Sequence, residues 1–381
     1  MSSKIVLLTL VVISVNVAGE NEFDDGNLGF SIEFFKHVSS RSSNSVVSPI
    51  SVRLALAAIQ QAAGSTLSER IKDAINLSTN DKQKTADDAR EFLASVYNEQ
   101  LRILFNVFRK NESLNPTFEE SLREVFGSGI EAVDFHDRGS VSQKINQWVS
   151  NATNKFIDEY VEEDTVDPQT ELMLINAVTL RARWASKFRK AKTKTMMFHF
   201  LDGDREIEVM SQAMSVPYRV AEDYHAAELL FSEESDLSMW IILPRGRGSV
   251  RELVRILSPG LIESIRIGCK TTSLMVELPR FSIKNEFNVT DVLKKMGYEN
   301  LFGVFDLEMF HRRQSEFADI LQTTVVSVDE DGTEASTATR LNVKWRVGSR
   351  PFFAHRPFIF YIQKRSTNTV LFIGQYSNHE D

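Results

Sequence analysis

Seven histidines, at 37, 136, 199, 225, 311, 355 and 379, are the side chains with an ordinary pKa near neutrality, and none lies within five residues of another. No short-range pair of imidazole metal ligands exists. The sequence also has no Gly-x-Ser-x-Gly elbow, no phosphate-binding Gly-x-x-x-x-Gly-Lys-Ser/Thr loop, no Gly-x-Gly-x-x-Gly after a strand and no His-Glu-x-x-His. The single cysteine, Cys269, rules out an intrachain disulfide and reads as a small buried or half-buried residue rather than a nucleophile. An enzyme would need catalytic groups dispersed along the chain, so the chain reads as a non-enzyme, with no metal and no cofactor.

The stretch with functional content is Glu330 to Pro351, EDGTEASTATRLNVKWRVGSRP. Taken at every second position, Thr333, Ala335, Thr337, Thr339, Leu341, Val343 and Trp345 are uncharged, whereas the intervening Glu334, Ser336, Ala338, Arg340, Asn342 and Lys344 are mostly polar or charged. A period of two marks a strand with one buried face. The stretch follows a β-prone run, Val325 to Val328, with no room for an ordinary hairpin turn, and it ends in a basic tip. A segment with two fates fits this pattern, and a plain edge strand running into a loop fits it equally.

The elements that must carry this segment divide unevenly. Ser48 to Ala63 reads as a helix, with Ser48 as N-cap, Pro49 at the first helical position, apolar residues at Ile50, Leu54, Ala57, Ala58 and Ile59, and Gly64 as the stop. Helical spacing recurs over 82–97, 117–126, 141–158 and 289–296. From 170 onward short β-prone runs take over: Leu172 to Leu180, Leu237 to Leu243, Ser273 to Leu278, Val325 to Val328, Phe358 to Ile362 and Val370 to Ile373. Helices early and strands late indicate an α+β class. Glycine (17) and proline (9) are scarce, and no linker interrupts the chain. One continuous domain is expected, and with 42% hydrophobic residues and 26 Phe it can build its core without covalent staples.

The apolar run Ile5 to Val17 follows Lys4 and ends in Val17-Ala18-Gly19, the form of a signal peptide over residues 1–19, with the mature chain over 20–381. At thirteen residues, broken by Thr9, Ser14 and Asn16, the run is too short for a comfortable membrane span, so a secreted, extracellular protein is expected. A net charge of −8 and the lack of interleaved aromatic and basic residues argue against a nucleic-acid partner. One basic run stands out: Arg181, Arg183, Lys187, Arg189, Lys190, Lys192 and Lys194. It reads as a solvated face, with a weak polyanion contact over 181–194 as the alternative. Sequons at Asn76, Asn111, Asn151 and Asn288 permit glycosylation on the secretory route, and Pro116 blocks the one at Asn115.

EDGTEASTAT resembles the hinge of inhibitory serpins, where an acidic residue, a glycine and a run of small residues open the reactive-centre loop. NSVVSPIS (Asn44 to Ser51) resembles the serpin segment at the shutter of the central sheet, and INQWV (Ile145 to Val149) its helix-F motif. INAVTLRARW (Ile175 to Trp184) is similar to a further serpin strand, with Asn176 and Trp184 at the family's spacing. LSMWIILP, LPRF, RPFIFYI and LFIG complete the series in order, so the resemblance spans the mature chain.

The resemblance implies a serpin fold, with helices around a large central β-sheet, further sheets and an exposed reactive-centre loop over about 331–350. It implies a hinge of Glu330, Gly332, Thr333, Glu334, Ala335, Ser336, Thr337, Ala338 and Thr339. It also implies a shutter of Asn44, Ser48, Pro49, Ser51, Asn176 and Gln322, and a breach at Trp184 and Arg280, with Arg280 pairing with Glu330. Gln322 replaces the usual histidine, Ala182 and Arg183 depart from the strand motif, and His379 replaces the usual C-terminal proline. Family spacing puts the scissile residue sixteen positions after Glu330 and eleven before Pro357, and both counts reach Arg346. The reactive bond is then Arg346–Val347, with Lys344 as runner-up, and the partner a trypsin-like serine protease trapped covalently by a monomeric inhibitor. A serpin-fold carrier or storage protein is the alternative; the small residues from Thr333 to Thr339 speak against it.

Overall fold

The computed structural model describes residues 21–39, 44–96, 100–110, 113–155, 157–180, 183–245, 249–302, 304–305, 315–316, 319–330 and 349–379. The expected signal peptide, Asn111, Arg181, the residues from Gly332 to Thr339 and the Arg346–Val347 bond lie outside the described residues.

Helix Pro49–Ala62 is the central pillar, with thirteen of its fourteen residues buried. Pro49 occupies the first turn, where its missing N–H costs nothing. Ser48 stands at the N-cap position, but its hydroxyl makes no capping bond there. Arg53, in the middle of this helix, is fully buried. Its guanidinium donates to the carbonyls of Ile75 (2.8 Å), Phe23 (2.9 Å), Glu22 (2.8 Å) and Asn76 (3.3 Å). Burial lowers its pKa to about 10, so it remains a cation at neutral pH and fastens the start of the described chain to the pillar.

Two sheets hold most of the strands. The five-stranded sheet runs in the order Phe281–Asn288, Asp319–Val328, Leu172–Leu180, Leu101–Lys110, Gly129–Val133. The larger sheet contains Thr369–Tyr376, Phe358–Lys364, Leu237–Pro244, Tyr224–Leu230, Gly203–Val220 and Lys270–Pro279, and ends at Arg350–Phe353, which pairs in parallel with Lys270–Pro279. The strands read at Leu172, Leu237, Phe358 and Val370 are present, with Asp319–Val328 extending well before Val325.

The early-helix, late-strand division is only approximate. Strands Leu101–Lys110 and Gly129–Val133 lie in the first half, and helices Val250–Ile256 and Pro259–Gly268 in the second. Leu101–Lys110 escapes a period-two reading because four consecutive residues, Phe105 to Phe108, are buried between layers. The helical pattern over 141–158 is in fact Arg138–Ala152. It is capped by Asp137 accepting from Ser140 N at 3.2 Å, and it stops before Asn154 and Lys155, which turn left-handed.

Side chains alternate across the pair Asp319–Val328 and Leu172–Leu180. Ile320, Val326 and Val328, with Leu172, Leu174, Val178 and Leu180, face the main core beneath helix Pro49–Ala62. Val325, Met173 and Ile175 point the other way, into a second cluster with Val141, Ile145 and Val149 of helix Arg138–Ala152 and Ile157, Val161 and Val166 after it. Both faces of the pair are therefore covered. No helix among the described residues is long and apolar enough to cross a membrane.

Candidate functional site

The two strands over the pillar pair directly and in parallel through eight register positions, from Asp319 opposite Met173 to Val326 opposite Leu180. Their outer partners, Phe281–Asn288 and Leu101–Lys110, are both antiparallel. Parallel ladders have slanted bonds and are slightly weaker per residue than antiparallel ones, so this seam is weaker per residue than the two antiparallel ladders that flank it.

A buried polar cluster lies under the seam. Gln322 and Asn176 are register partners, and Gln322 is fully buried. Its Nε2 lies 2.6 Å from Ser51 Oγ, 3.1 Å from Ser48 O and 3.1 Å from Asn176 Oδ1. Its Oε1 accepts from Ser48 N at 3.2 Å and from Thr324 Oγ1 at 3.2 Å. The Ser51 hydroxyl proton serves Asn176 Oδ1 at 2.6 Å or Ser48 O at 2.9 Å. Asn176 Nδ2 reaches Leu104 O at 3.2 Å, on the next strand. One neutral amide thus joins the pillar to both strands of the seam, and no group in the cluster titrates near neutral pH.

The structure brings Ser48, Ser51, Asn176 and Gln322 together, with Pro49 supplying the helix turn between them. Asn44 is elsewhere: its Oδ1 accepts from Ser377 N (2.7 Å) and Asn378 N (2.9 Å), and its Nδ2 donates to Asn378 O (2.8 Å). The resemblance groups it with the shutter residues, but strand Ser45–Val47 lies between it and the Gln322 cluster and carries it to the C-terminal tail. Ser48 likewise contributes its peptide group rather than its hydroxyl. Thr324 was not anticipated; it alternates with Gln322 on one face, and that period-two position was its only signal.

The second cluster surrounds the point where the chain leaves the seam. Trp184 is buried, stacked on Phe231 at 4.5 Å and edge-on to Phe188. Its indole N–H donates to Asp329 O at 2.8 Å, and Phe188 N donates to Glu330 O at 3.1 Å. The Glu330 carboxylate, 4% exposed with its residue, accepts from Thr193 Oγ1 at 2.5 Å and lies 3.4 Å from Arg280 Nε. Arg280 also pairs with Glu208 at 2.6 Å. Trp184, Arg280 and Glu330 therefore meet. Thr193 and Glu208 were not foreseen, since Thr193 is 137 positions from Glu330 and only the fold closes that distance.

Of the sequons, Asn76 and Asn151 are exposed. Asn288 is half-buried and caps helix Val289–Lys295 by accepting from Thr290 N at 2.8 Å. Cys269 is half-buried, and burial pushes its thiol up to about 11, which leaves little thiolate at neutral pH. No group of three or more metal-ligating side chains occurs among the described residues.

A helix-supported sheet with a parallel seam, a neutral lock beneath it and a gripped exit residue defines an α+β protein in which residues 331–348, outside the described residues, connect Asp319–Val328 of one sheet to Arg350–Phe353 of the other. A family model described as Serpin (serine protease inhibitor) matches residues 25–379, and the chain belongs to that family. It is 29% identical to an uncharacterized serpin-like protein of Thermococcus kodakarensis, over 92% of this chain and 84% of that one. It is 27% identical to antithrombin-III of Ovis aries, over 94% of this chain and 82% of the relative. The solved structure of SRPN18 from Anopheles gambiae has the same fold, with a TM-score of 0.85 at 24% identity, covering 95% of this chain and 99% of that one.

Proposed function

We propose that this chain is a secreted inhibitor of trypsin-like serine proteases, acting as a single-use substrate that is cut at Arg346–Val347 and retains the enzyme as an acyl-enzyme. The observation that carries this reading is the direct parallel pairing of Asp319–Val328 with Leu172–Leu180, with the chain leaving that seam at Glu330. A strand that turns back after Glu330 runs antiparallel to both members of the pair. Its entry between them exchanges one parallel ladder for two antiparallel ones, a gain in both number and quality of hydrogen bonds.

In the covalent step the protease's serine oxygen attacks the Arg346 carbonyl carbon. The Arg346–Val347 bond breaks, the Val347 nitrogen leaves as an amine with a proton from the protease, and an ester joins Arg346 to the serine. Cleavage separates the segment from its anchor at Arg350–Phe353, and the alternation from Thr333 to Trp345 lets it enter the sheet without an inward-facing charge. Each large apolar side chain then buried contributes about 1.5–3 kcal/mol, and an unpaired charge on that face would cost several kcal/mol. In this reading Gly332 supplies the turn after the Glu330 anchor, and the stretch from Thr333 to Thr339, mostly small residues, enters the sheet first.

The signal-like run over residues 1–19 supports export, followed by a single domain over 20–381 that works as a monomer. Exposure favours Asn76 and Asn151 as glycan carriers, and the capping role of Asn288 disfavours it.

The deciding experiment is incubation of the purified protein with trypsin, followed by denaturing electrophoresis and mass spectrometry of the released peptide. A denaturant-resistant complex and a new N-terminus at Val347 are expected. A new N-terminus at Trp345 would move the bond to Lys344, and clean cleavage with no complex would favour the carrier reading.

A further inference from the structure

Strand Arg350–Phe353 begins four positions after Arg346, and four residues of extended chain span no more than about 14 Å. A globular partner of about 100–250 residues has a radius of gyration of about 13–18 Å. A protease seated on the Arg346–Val347 bond must therefore cover the start of this strand and what borders it.

A compact group of arginines borders it. Phe352 is buried, and its ring meets that of Tyr218 edge-on at 6.1 Å. Arg350, two positions earlier on the same face of the strand, is exposed. The Tyr218 hydroxyl is hydrogen-bonded to His225 Nδ1 at 2.6 Å, and the strand of His225 ends beside Pro244, which stands opposite Tyr224. The Pro244 carbonyl accepts from Arg356 Nε at 3.0 Å and also from its Nη2. Arg245 comes next in the chain; it is exposed, and its Nη1 donates to Ala221 O at 2.9 Å. The three charges act on one pair of side chains. Burial raises the pKa of the Tyr218 hydroxyl while Arg350 and Arg245 oppose the rise, and burial lowers that of His225 with Arg245 and Arg356 adding to the fall.

Among the described residues no carboxylate is in ion-pair contact with Arg245, Arg350 or Arg356. Glu222 and Asp223, on the adjoining turn, are exposed, and Asp223 offers Arg245 N only its backbone carbonyl, at 2.8 Å. Other exposed arginines are matched, Arg90 by Asp87 at 2.8 Å and Arg123 by Glu119 at 3.1 Å. Two of the three guanidiniums in the cluster are tied to backbone carbonyls, so little side-chain freedom remains to be lost on binding. Their forked donors suit carboxylates.

We propose that Arg245, Arg350 and Arg356 form a second recognition surface for the target protease, taking a carboxylate-bearing part of the enzyme on the side from which the Val347 amine leaves. This rests on the inhibitory function proposed above. Arg346 selects enzymes with an acidic pocket, and the cluster selects among them by the charge of the surface beside that pocket.

The test compares association rate constants with an anionic and a cationic trypsin, which share the arginine-binding pocket and differ in surface charge. The chain as a whole carries −8 and repels an anionic enzyme at long range, so ionic strength is held at about 0.15 M, where a Debye length of about 8 Å leaves local charges dominant. Three proteins are compared: wild type, Arg245→Glu with Arg350→Glu, and Arg90→Glu with Arg123→Glu, which makes the same change in net charge on helices outside the cluster. Melting curves establish that each is folded. Reversal of Arg245 and Arg350 should shift the ratio of the two rate constants about tenfold toward the cationic enzyme, with the bond cut and the yield of complex unchanged. The control pair should shift it less than about twofold, and about 1 M salt should remove most of the difference. An unchanged ratio, or an equal shift in the control pair, overturns the surface. Where the protein is cut without trapping the enzyme, the same ratio is read from cleavage rates, so loss of the complex counts against the inhibitory reading alone.

Discussion

Gln322 and Asn176 sit opposite each other in register on two parallel strands, and a single amide proton at 3.1 Å spans the seam between them. The same amide grips the start of helix Pro49–Ala62 through Ser48 and Ser51, so parting the strands also requires breaking the lock to the helix.

Gln322→Ala should therefore destabilise the protein by about 2–4 kcal/mol, since it leaves several fully buried donors and acceptors without partners. It should also speed spontaneous loss of inhibitory activity on storage. Denaturant unfolding and a time course of residual activity measure the two effects; unaltered stability would show that water replaces the amide at no cost. Gln322→His should add acid sensitivity between about pH 7 and 5, because a buried imidazole must charge there.

Arg280→Met should cost about 1–3 kcal/mol, a range discounted from fully buried pairs because the arginine is 42% exposed. Among the described residues the Glu330 carboxylate then keeps Thr193, while Glu208 returns to water. Pairing Arg280→Met with Glu330→Gln in a double-mutant cycle should recover part of the loss, and strictly additive effects would remove the ion pair from the account.

His355 gives the wild type its own pH dependence. Its Nε2 lies 2.9 Å from Glu277 Oε2, its ring stacks on Phe353, and its carbonyl accepts from His199 N at 2.9 Å. Burial lowers its pKa from the ordinary 6.5, with Glu277 opposing and His199 and Arg356 adding to the depression. A folded-state pKa below the unfolded one contributes stability above the unfolded value, and that contribution is lost as pH falls through the folded value. His225, bonded to Tyr218 OH at 2.6 Å, is shifted the same way, chiefly by burial. Melting temperature should therefore fall from pH 7 to pH 5, less steeply in His355→Gln; identical slopes would assign the effect elsewhere.

Thr333→Arg should convert the inhibitor into a substrate, with cleavage at the same bond and no covalent complex, because a guanidinium at the first inward position delays insertion until the ester hydrolyses. In the unmodified protein, cleavage should raise the melting temperature, since the freed segment joins the sheet, whereas nicking an ordinary loop leaves stability equal or lower. Equal melting points before and after cutting would remove insertion from the mechanism.

Arg346→Ala should abolish inhibition of trypsin-like proteases, while Lys344→Ala changes the rate only modestly. Only the residue donating the scissile carbonyl enters the acidic pocket, where loss of its guanidinium leaves a buried acid unpaired. Comparable losses in both variants would contradict the single-bond assignment.

What could be read from the sequence alone was local or periodic. Helix Pro49–Ala62 was legible because Pro49 and Gly64 act on their own neighbours, and Leu172–Leu180 because nine consecutive residues are apolar or β-prone enough to be buried throughout. The family resemblance located Gln322, Trp184, Arg280 and Glu330 by their order along the chain, with no account of what each touches. The tertiary structure alone decided that Asp319–Val328 lies beside Leu172–Leu180, a pairing between segments about 146 positions apart. It also decided that Ser48 answers Gln322 with its peptide group rather than its hydroxyl, that Asn44 serves the C-terminal tail, and that Arg53 is buried under four carbonyls instead of lying on a polar helix face. The physical reason is common to all of these. Propensity, capping and alternation act over a few residues, whereas a buried polar group is satisfied by whatever the packing brings within about 3 Å, and that neighbour has no fixed distance along the chain.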